Sequence, residues 1–229
     1  MREIVLDTET TGFDPYEGHR VVEIGCVELV NLLPTGRHFQ VYLNPQRSMP
    51  LEAFQVHGLS DAFLADKPLF SAIAQDFLGF IGDDARLVAH NADFDMRFIN
   101  WELQHAALPT LPMNRVRDTV SMARRALPGM RVTLDNLCRR FNIDLSARQK
   151  HGALLDAELL AEVYLELSGG RQNRLALANA GGQTLAPGAD PSSSGSRKSR
   201  PRRHFAPSAA EKAAHQAFID GLSNPLWRR

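Results

Sequence analysis

The chain has 229 residues, enough for one good-sized domain with residues left over, and 44% of them are hydrophobic, ample for a core. The formal net charge is zero, but unevenly spread: residues 171–229 hold ten Lys/Arg against three Asp/Glu, a balance of +7, and residues 1–170 hold sixteen against twenty-three, a balance of −7. This predicts an acidic folded part and a basic tail, and excludes a folded part that grips DNA by its own charge. No apolar run reaches the ~18 residues of a membrane span.

In chain order, strand signals come first at 3–8, 21–30 (VVEIGCVELV) and 37–43 (RHFQVYL). The turn-rich links GFDPYEG and NLLPTG separate them, which suits antiparallel neighbours. A short helix is expected at 50–56, followed by HGLSD, then an amphipathic helix over 68–82 with Pro68 near its first turn. RLVAH (86–90) reads as a short buried strand. Phe94, Phe98 and Trp101 set a helical spacing over 93–106. VRDTV (116–120) reads as a last strand running into a helix over 119–127, with further helices at 133–141 and 152–167. Strands and helices mixed in this way predict an α/β domain with a mixed sheet over 1–170. Gly, Pro, Ser and Arg then dominate 171–207, a flexible basic linker that includes RKSRPRR at 197–203. Residues 208–222 read as helical again, within a C-terminal segment 208–229. Cys26 and Cys138 lack metal-type spacing and read as reduced core residues. The N-terminus enters a strand directly, so no signal peptide and a cytoplasmic location are expected.

The chemistry starts at VLDTETTG. Asp7 and Glu9 stand two apart at the end of an apolar strand, so both point to one face. Two like charges so close call for a cation between them. HNADFD at 90–95 follows the strand RLVAH and so sits at a strand end, where α/β folds build sites. In HGALLDAELLAEVYL, Asp156 heads an inward stripe with Leu159, Leu160, Val163 and Leu167, and His151 stands five residues before it. A carboxylate in that place needs a partner.

Each group also has a plain structural reading. Asp156 and Asp95 are first-turn acids that would favour a helix dipole, and His151 is a loop or cap histidine. The Asp7/Glu9 pair resists such a reading. The combination of D-x-E on a first strand, FD at a later strand end, and H-x-x-x-x-D on a late helix resembles the DEDD-type 3′→5′ exonucleases, in the variant with a histidine base. VLDTETTG, VVEIGCVELV, FQVYLNP, EAFQVHGLSD, HNADFDMRFINWEL and HGALLDAELLAEVYL, in that order over about residues 2–170, are similar to the proofreading epsilon-subunit family of bacterial DNA polymerase III. A short helix and a closing L-W-R resemble that family's C-terminus.

The resemblance implies a ribonuclease-H-like mixed sheet flanked by helices. It implies that Asp7, Glu9, Asp95 and Asp156 hold two divalent cations, Mg²⁺ or Mn²⁺, with Asp7 bridging, and that His151 is the general base. An imidazole titrates in the physiological range and suits that role. The family pattern H-N-A-x-F-D selects Asp95 and leaves Asp93 as a variable position. Glu52 and His57 of EAFQVHG would meet the terminal nucleotide, alongside Asp7, Glu9 and Asp156. From the residues alone, that segment is equally a short helix closed by Gly58. The substrate would be the 3′ end of a DNA primer strand, and the product a nucleoside 5′-monophosphate. The partner implied is the polymerase catalytic subunit, reached through 208–229 with Phe218, Ile219, Leu222, Leu226 and Trp227 as anchors. The family's clamp-binding segment, Q-x-x-L/M-x-F, has only a degraded counterpart in Gln183 and Leu185, where no aromatic follows and Pro187 intervenes; this puts sliding-clamp contact in doubt. A free-standing RNA or oligonucleotide 3′ exonuclease of the same superfamily is the alternative, and the tail argues against it.

Overall fold

The computed structural model describes residues 1–146, 148, 150–169 and 207–221. The chain divides into two compact units, Met1–Ala176 and Leu177–Arg229. Most of the linker expected at 171–207, with Gln183, Leu185 and RKSRPRR, lies outside the described residues, as do Leu222, Leu226 and Trp227. Within the second unit, helix α8 (Ala209–Asp220) opens with a capping box in which Ser208 and Glu211 satisfy each other's backbone.

The first unit is built on five strands: β1 (Arg2–Thr10), β2 (Val21–Val30), β3 (Leu33–Tyr42), β4 (Arg86–Ala89) and β5 (Val116–Asp118). Their order across the sheet is β3-β2-β1-β4-β5. β1 pairs antiparallel with β2 and parallel with β4, so it is central and the sheet is mixed, as expected. Around it lie α1 (Leu51–His57), α2 (Asp61–Leu64), α3 (Phe70–Ile81), α4 (Ala92–His105), α5 (Thr119–Ala126), α6 (Leu134–Phe141) and α7 (Ala153–Leu167).

Strand parity decides the layers. Ile4 and Leu6 point to one face, where Phe70, Phe77, Met96, Phe98 and Ile99 of α3 and α4 bury them. Val5 points to the other, against Leu137 of α6 and Ala157, Leu160, Val163 and Tyr164 of α7. Each fully buried side chain of this kind contributes about 1.5–3 kcal/mol. Both cysteines are buried and free. No described helix is long and apolar enough to cross a membrane.

Two elements depart from expectation. β3 starts at Leu33, because Asn31 and Leu32 (φ 53° and 68°) turn the hairpin in two residues and Pro34 and Gly36 belong to the strand. Pro34 is tolerated there because β3 is an edge strand. HGLSD, given no element in the sequence reading, contains the start of α2, capped by the Ser60 side chain, which accepts from Phe63 N.

Candidate active site

The parity that sends Val5 toward α7 sends Asp7 and Glu9 the same way, past the end of the apolar run. Asp7 is half-buried and Glu9 is 8% exposed. Above them stands the start of α7. Its close approach depends on Gly25 of β2, the partner of Asp7 in the ladder: a Cβ there would lie 2.2 Å from the backbone of Ala153 and Leu154. Glu23 of the same strand accepts from Ala153 N (3.1 Å), satisfying one open donor of the helix, and itself accepts from Gln40 (2.8 Å). So β2 fixes where α7 begins, and with it Asp156, which is 3% exposed in the first turn.

Asp95 arrives from the other side. Asn91 takes the left-handed conformation (φ 68°) that turns β4 into α4. The carboxylate of Asp118 pins this turn by accepting from Asn91 N (3.0 Å) and Ala92 N (3.4 Å). Asp95 then lies in the first turn of α4, 2% exposed, accepting a bond from Thr8 Oγ1 at 2.7 Å. Asp93 is exposed.

His151 precedes α7, with its backbone N–H donating to Val56 O of α1 (3.3 Å) and its side chain half exposed. Its Nδ1 is 3.1 Å from Asp156 Oδ2. One ligand atom each from Glu9, His151 and Asp156 fall within 4.8 Å of one another, the spacing a single cation needs.

The electrostatics report a deficit of positive charge. Burial, then the carboxylates of Asp95, Glu9 and Asp156, push Asp7 well above the usual range. Burial, then Asp156, Glu23 and Asp95, push Glu9 to about 8. Burial lifts Asp95 to about 7 even against the hydrogen bond from Thr8. Only Asp156 runs the other way: burial pushes it up, but hydrogen bonds from His151 and Arg148 overcome this and hold it below the ordinary value. Four carboxylate-bearing side chains, hard oxygen ligands short of positive charge, fit divalent cations of the Mg²⁺ class.

Arg148 went unnoticed in the sequence, where it is one more basic residue in a loop. Its Nε donates to Asp156 Oδ1 (2.5 Å) and its Nη2 to Oδ2 (2.6 Å), while Nη2 is also 2.9 Å from His151 Nδ1. Nη1 pairs with Asp135, in the first turn of α6.

Two cavities flank the carboxylates. One, of about 310 Å³, is bordered by Glu9, Gly12, Phe13, Glu52, Val56 and His57. Glu52 is exposed at its rim, and His57 is 6% exposed. His57 Nδ1 accepts from Leu59 N (3.0 Å), which leaves the proton on Nε2, buried and turned toward the backbone of Thr10. The other is a cleft of about 810 Å³ that reaches Asp7, His151 and Asp156 on one side and Arg124, Arg131 and Thr133 on the other. Arg124 and Arg131 are exposed and form no ion pair among the described residues. Thus the seven residues picked from the sequence converge on one locality, all but Asp95 bordering one cavity or the other. Glu23, Gly25 and Thr8, inside the quoted motifs but given no role there, and Arg148, outside every motif, join them as supports.

Residues 4–164 match the family described as Exonuclease. Among solved structures, Exonuclease X in complex with 5′-overhanging duplex DNA superposes with a TM-score of 0.56 at 25% identity, over 72% of this chain and 89% of that one. The nuclease domain of 3′hExo, a DEDDh family member bound to rAMP, shares the fold (TM-score 0.63, 18% identity, 73% of this chain and 92% of that one). The family match makes the chain an exonuclease, an enzyme that hydrolyses phosphodiesters. The DNA polymerase III subunit epsilon of Rickettsia prowazekii is 54% identical over 182 residues, covering 78% of this chain and 79% of its own. That of Escherichia coli is 44% identical over 238 residues, covering 99% and 97%. The chain belongs to the epsilon-subunit family, whose exonuclease is the proofreading one. Divalent-metal dependence is general among these exonucleases.

Proposed function

We propose that Asp7, Glu9, Asp95 and Asp156 hold two divalent cations, Mg²⁺ or Mn²⁺, and that His151 is the general base in removal of mispaired nucleotides from the 3′ end of a DNA primer. The observation that carries this is the convergence of Glu9, His151 and Asp156 within 4.8 Å beside two further carboxylates, Asp7 and Asp95, whose protons are held first by burial. Bound there, the cations would supply Lewis-acid stabilisation of the attacking and leaving oxygens. The chain's own residues do the rest. The cavity of Glu52 and His57 takes the terminal nucleotide, with His57 in its wall. The cleft of Arg124 and Arg131 takes the strand on the 5′ side, its guanidinium groups meeting backbone phosphates. His151, with Nδ1–H turned to Asp156, accepts the proton of the attacking water at Nε2. The water oxygen bonds to phosphorus, the P–O3′ bond breaks, and the new 3′ oxygen takes up a proton; a 5′-monophosphate departs.

The acidic first unit has little general grip on DNA, so a partner must present the primer end. The relatives' names point to a DNA polymerase. The C-terminal segment 208–229 supplies the attachment: α8 has Phe218 62% exposed, and a helix this short gains stability by docking. The test is degradation of a 3′-mismatched, end-labelled primer–template with Mg²⁺ by wild type, Asp7→Ala, His151→Ala and a chain cut before 208. Release of 5′-monophosphates by wild type and the truncated chain, and by neither site variant, is expected, with the truncated chain alone failing to bind the polymerase subunit. Trimming of RNA with no action on DNA would overturn the assignment.

A further inference from the structure

We infer that Arg148 is a displaceable resident cation of the carboxylate cluster, holding Asp156 and His151 in an inert arrangement until a divalent ion expels it. The inference rests on the reading of the cluster as a metal site. Three observations carry it.

The first is the hold on Asp156. Both of its oxygens accept from one guanidinium, at 2.5 and 2.6 Å, and the Arg148 side chain is only 9% exposed. An ion of the Mg²⁺ class needs a carboxylate oxygen at about 2.0–2.1 Å. With the fork closed, an ion bound to Asp156 would stand beside the guanidinium, and two cations so close repel.

The second is the state of His151. Arginine carries donors only, so Nη2, 2.9 Å from His151 Nδ1, competes with Asp156 Oδ2, 3.1 Å from the same nitrogen, for its hydrogen bond. When the bond is to Arg148, Nδ1 accepts and the ring proton sits on Nε2. In that arrangement neither nitrogen can accept a proton from water. When Arg148 leaves, Nδ1–H can turn to Asp156 Oδ2, 3.1 Å away, and Nε2 is freed as a base. One movement therefore opens a metal ligand and switches on the base.

The third is a place to go. Nη1 pairs with Asp135, which is outside the ligand set and 44% exposed, and both residues border the 810 Å³ cleft. Turning about Asp135 keeps one ion pair while the fork swings into open space.

The test titrates Mg²⁺ into the full chain labelled at the arginine Nε positions, with the Arg148 resonance assigned by its loss in Arg148→Lys. That resonance is expected to move as Mg²⁺ saturates. In parallel, calorimetry compares Mn²⁺ affinity: Arg148→Ala, which removes a charged competitor, is expected to bind about tenfold more tightly than wild type. Arg148→Lys keeps the charge without the fork and should fall between, and it carries the comparison if Arg148→Ala does not fold. A resonance that stays in place at saturation, or weaker Mn²⁺ binding by the variants, overturns the inference and leaves the metal reading standing. A wild-type chain that takes up neither ion removes the metal reading, and this inference with it.

Discussion

β1 carries buried carboxylates at both ends of its ladder, and the two ends are built to opposite rules. At one end, Glu28 of β2, opposite Ile4, is 3% exposed, yet every demand it makes is met: Arg2 Nε donates at 2.6 Å, Thr35 Oγ1 at 2.8 Å and Arg37 Nη1 at 3.1 Å. The hydrogen bond from Arg2 leads in holding its carboxyl below the usual value. Nearby, Glu3 accepts from Tyr164 Oη at 2.6 Å, and Arg117 donates to the same hydroxyl. At the other end, of Asp7, Glu9, Asp95 and Asp156 only Asp156 is paired with a guanidinium, and the other three are pushed up. The first group is finished and serves the fold. The second is short of positive charge, which is the condition a metal-binding site needs before its metal arrives.

The largest effect should come from the unfinished end. Asp7→Asn removes a ligand while keeping shape, and nuclease activity is expected to fall by at least about 10³-fold with Mg²⁺ present. Glu28→Gln should leave kcat and KM unchanged and cost about 1–3 kcal/mol in denaturant melts, because Arg2 and Arg37 lose their partner. If Glu28→Gln were the variant that lost activity, the contrast would fail. Next is Gly25→Ala, whose Cβ has no room against Ala153. It should shift the start of α7 and lower kcat on the order of 10²-fold by misplacing His151 and Asp156, with modest loss of stability.

The pH response should separate the two ends by sign. Glu9 and Asp95 titrate at about 8 and about 7 when folded, above their ordinary values of 4.5 and 3.8, so the folded chain binds more protons than the unfolded one. Their contribution in EDTA is fully present below about pH 4 and is lost progressively as pH rises through the folded values of about 7 and about 8. Glu28, held low, contributes above the ordinary carboxylate range and is lost on acidification. Melting curves in EDTA should therefore flatten on the alkaline side in Glu9→Gln and on the acid side in Glu28→Gln. Smallest of all, Arg131→Ala should raise KM for a single-stranded 3′ end a few-fold and lessen its salt dependence, with kcat kept.

Much of this was legible in the sequence because it is local. The apolar run before Asp7, the i, i+3, i+4, i+7 stripe behind Asp156 and the strand-then-acid pattern at 86–95 are short-range signals, and each became the element expected. What stayed hidden depends on contacts distant in sequence. Gly25 looks like a weak point in a strand until α7 lies against it. Glu23 bonds Ala153 across 130 positions. Arg148 sits in a loop without periodicity, and nothing local says which carboxylate it will meet. The start of β3 was missed for a different reason: Pro34 and Gly36 suggest a turn, and only the edge position of the strand makes them acceptable.

The most direct test of the central claim is to count the protons released when Mn²⁺ binds at pH 7, by calorimetry in two buffers of different ionisation enthalpy. The account predicts net proton release from the wild-type chain, less release from Glu9→Gln, and no change from Glu28→Gln. Mn²⁺ binding that releases no protons, or release that is unaltered in Glu9→Gln, would contradict the claim that this end of β1 is held short of charge for a metal.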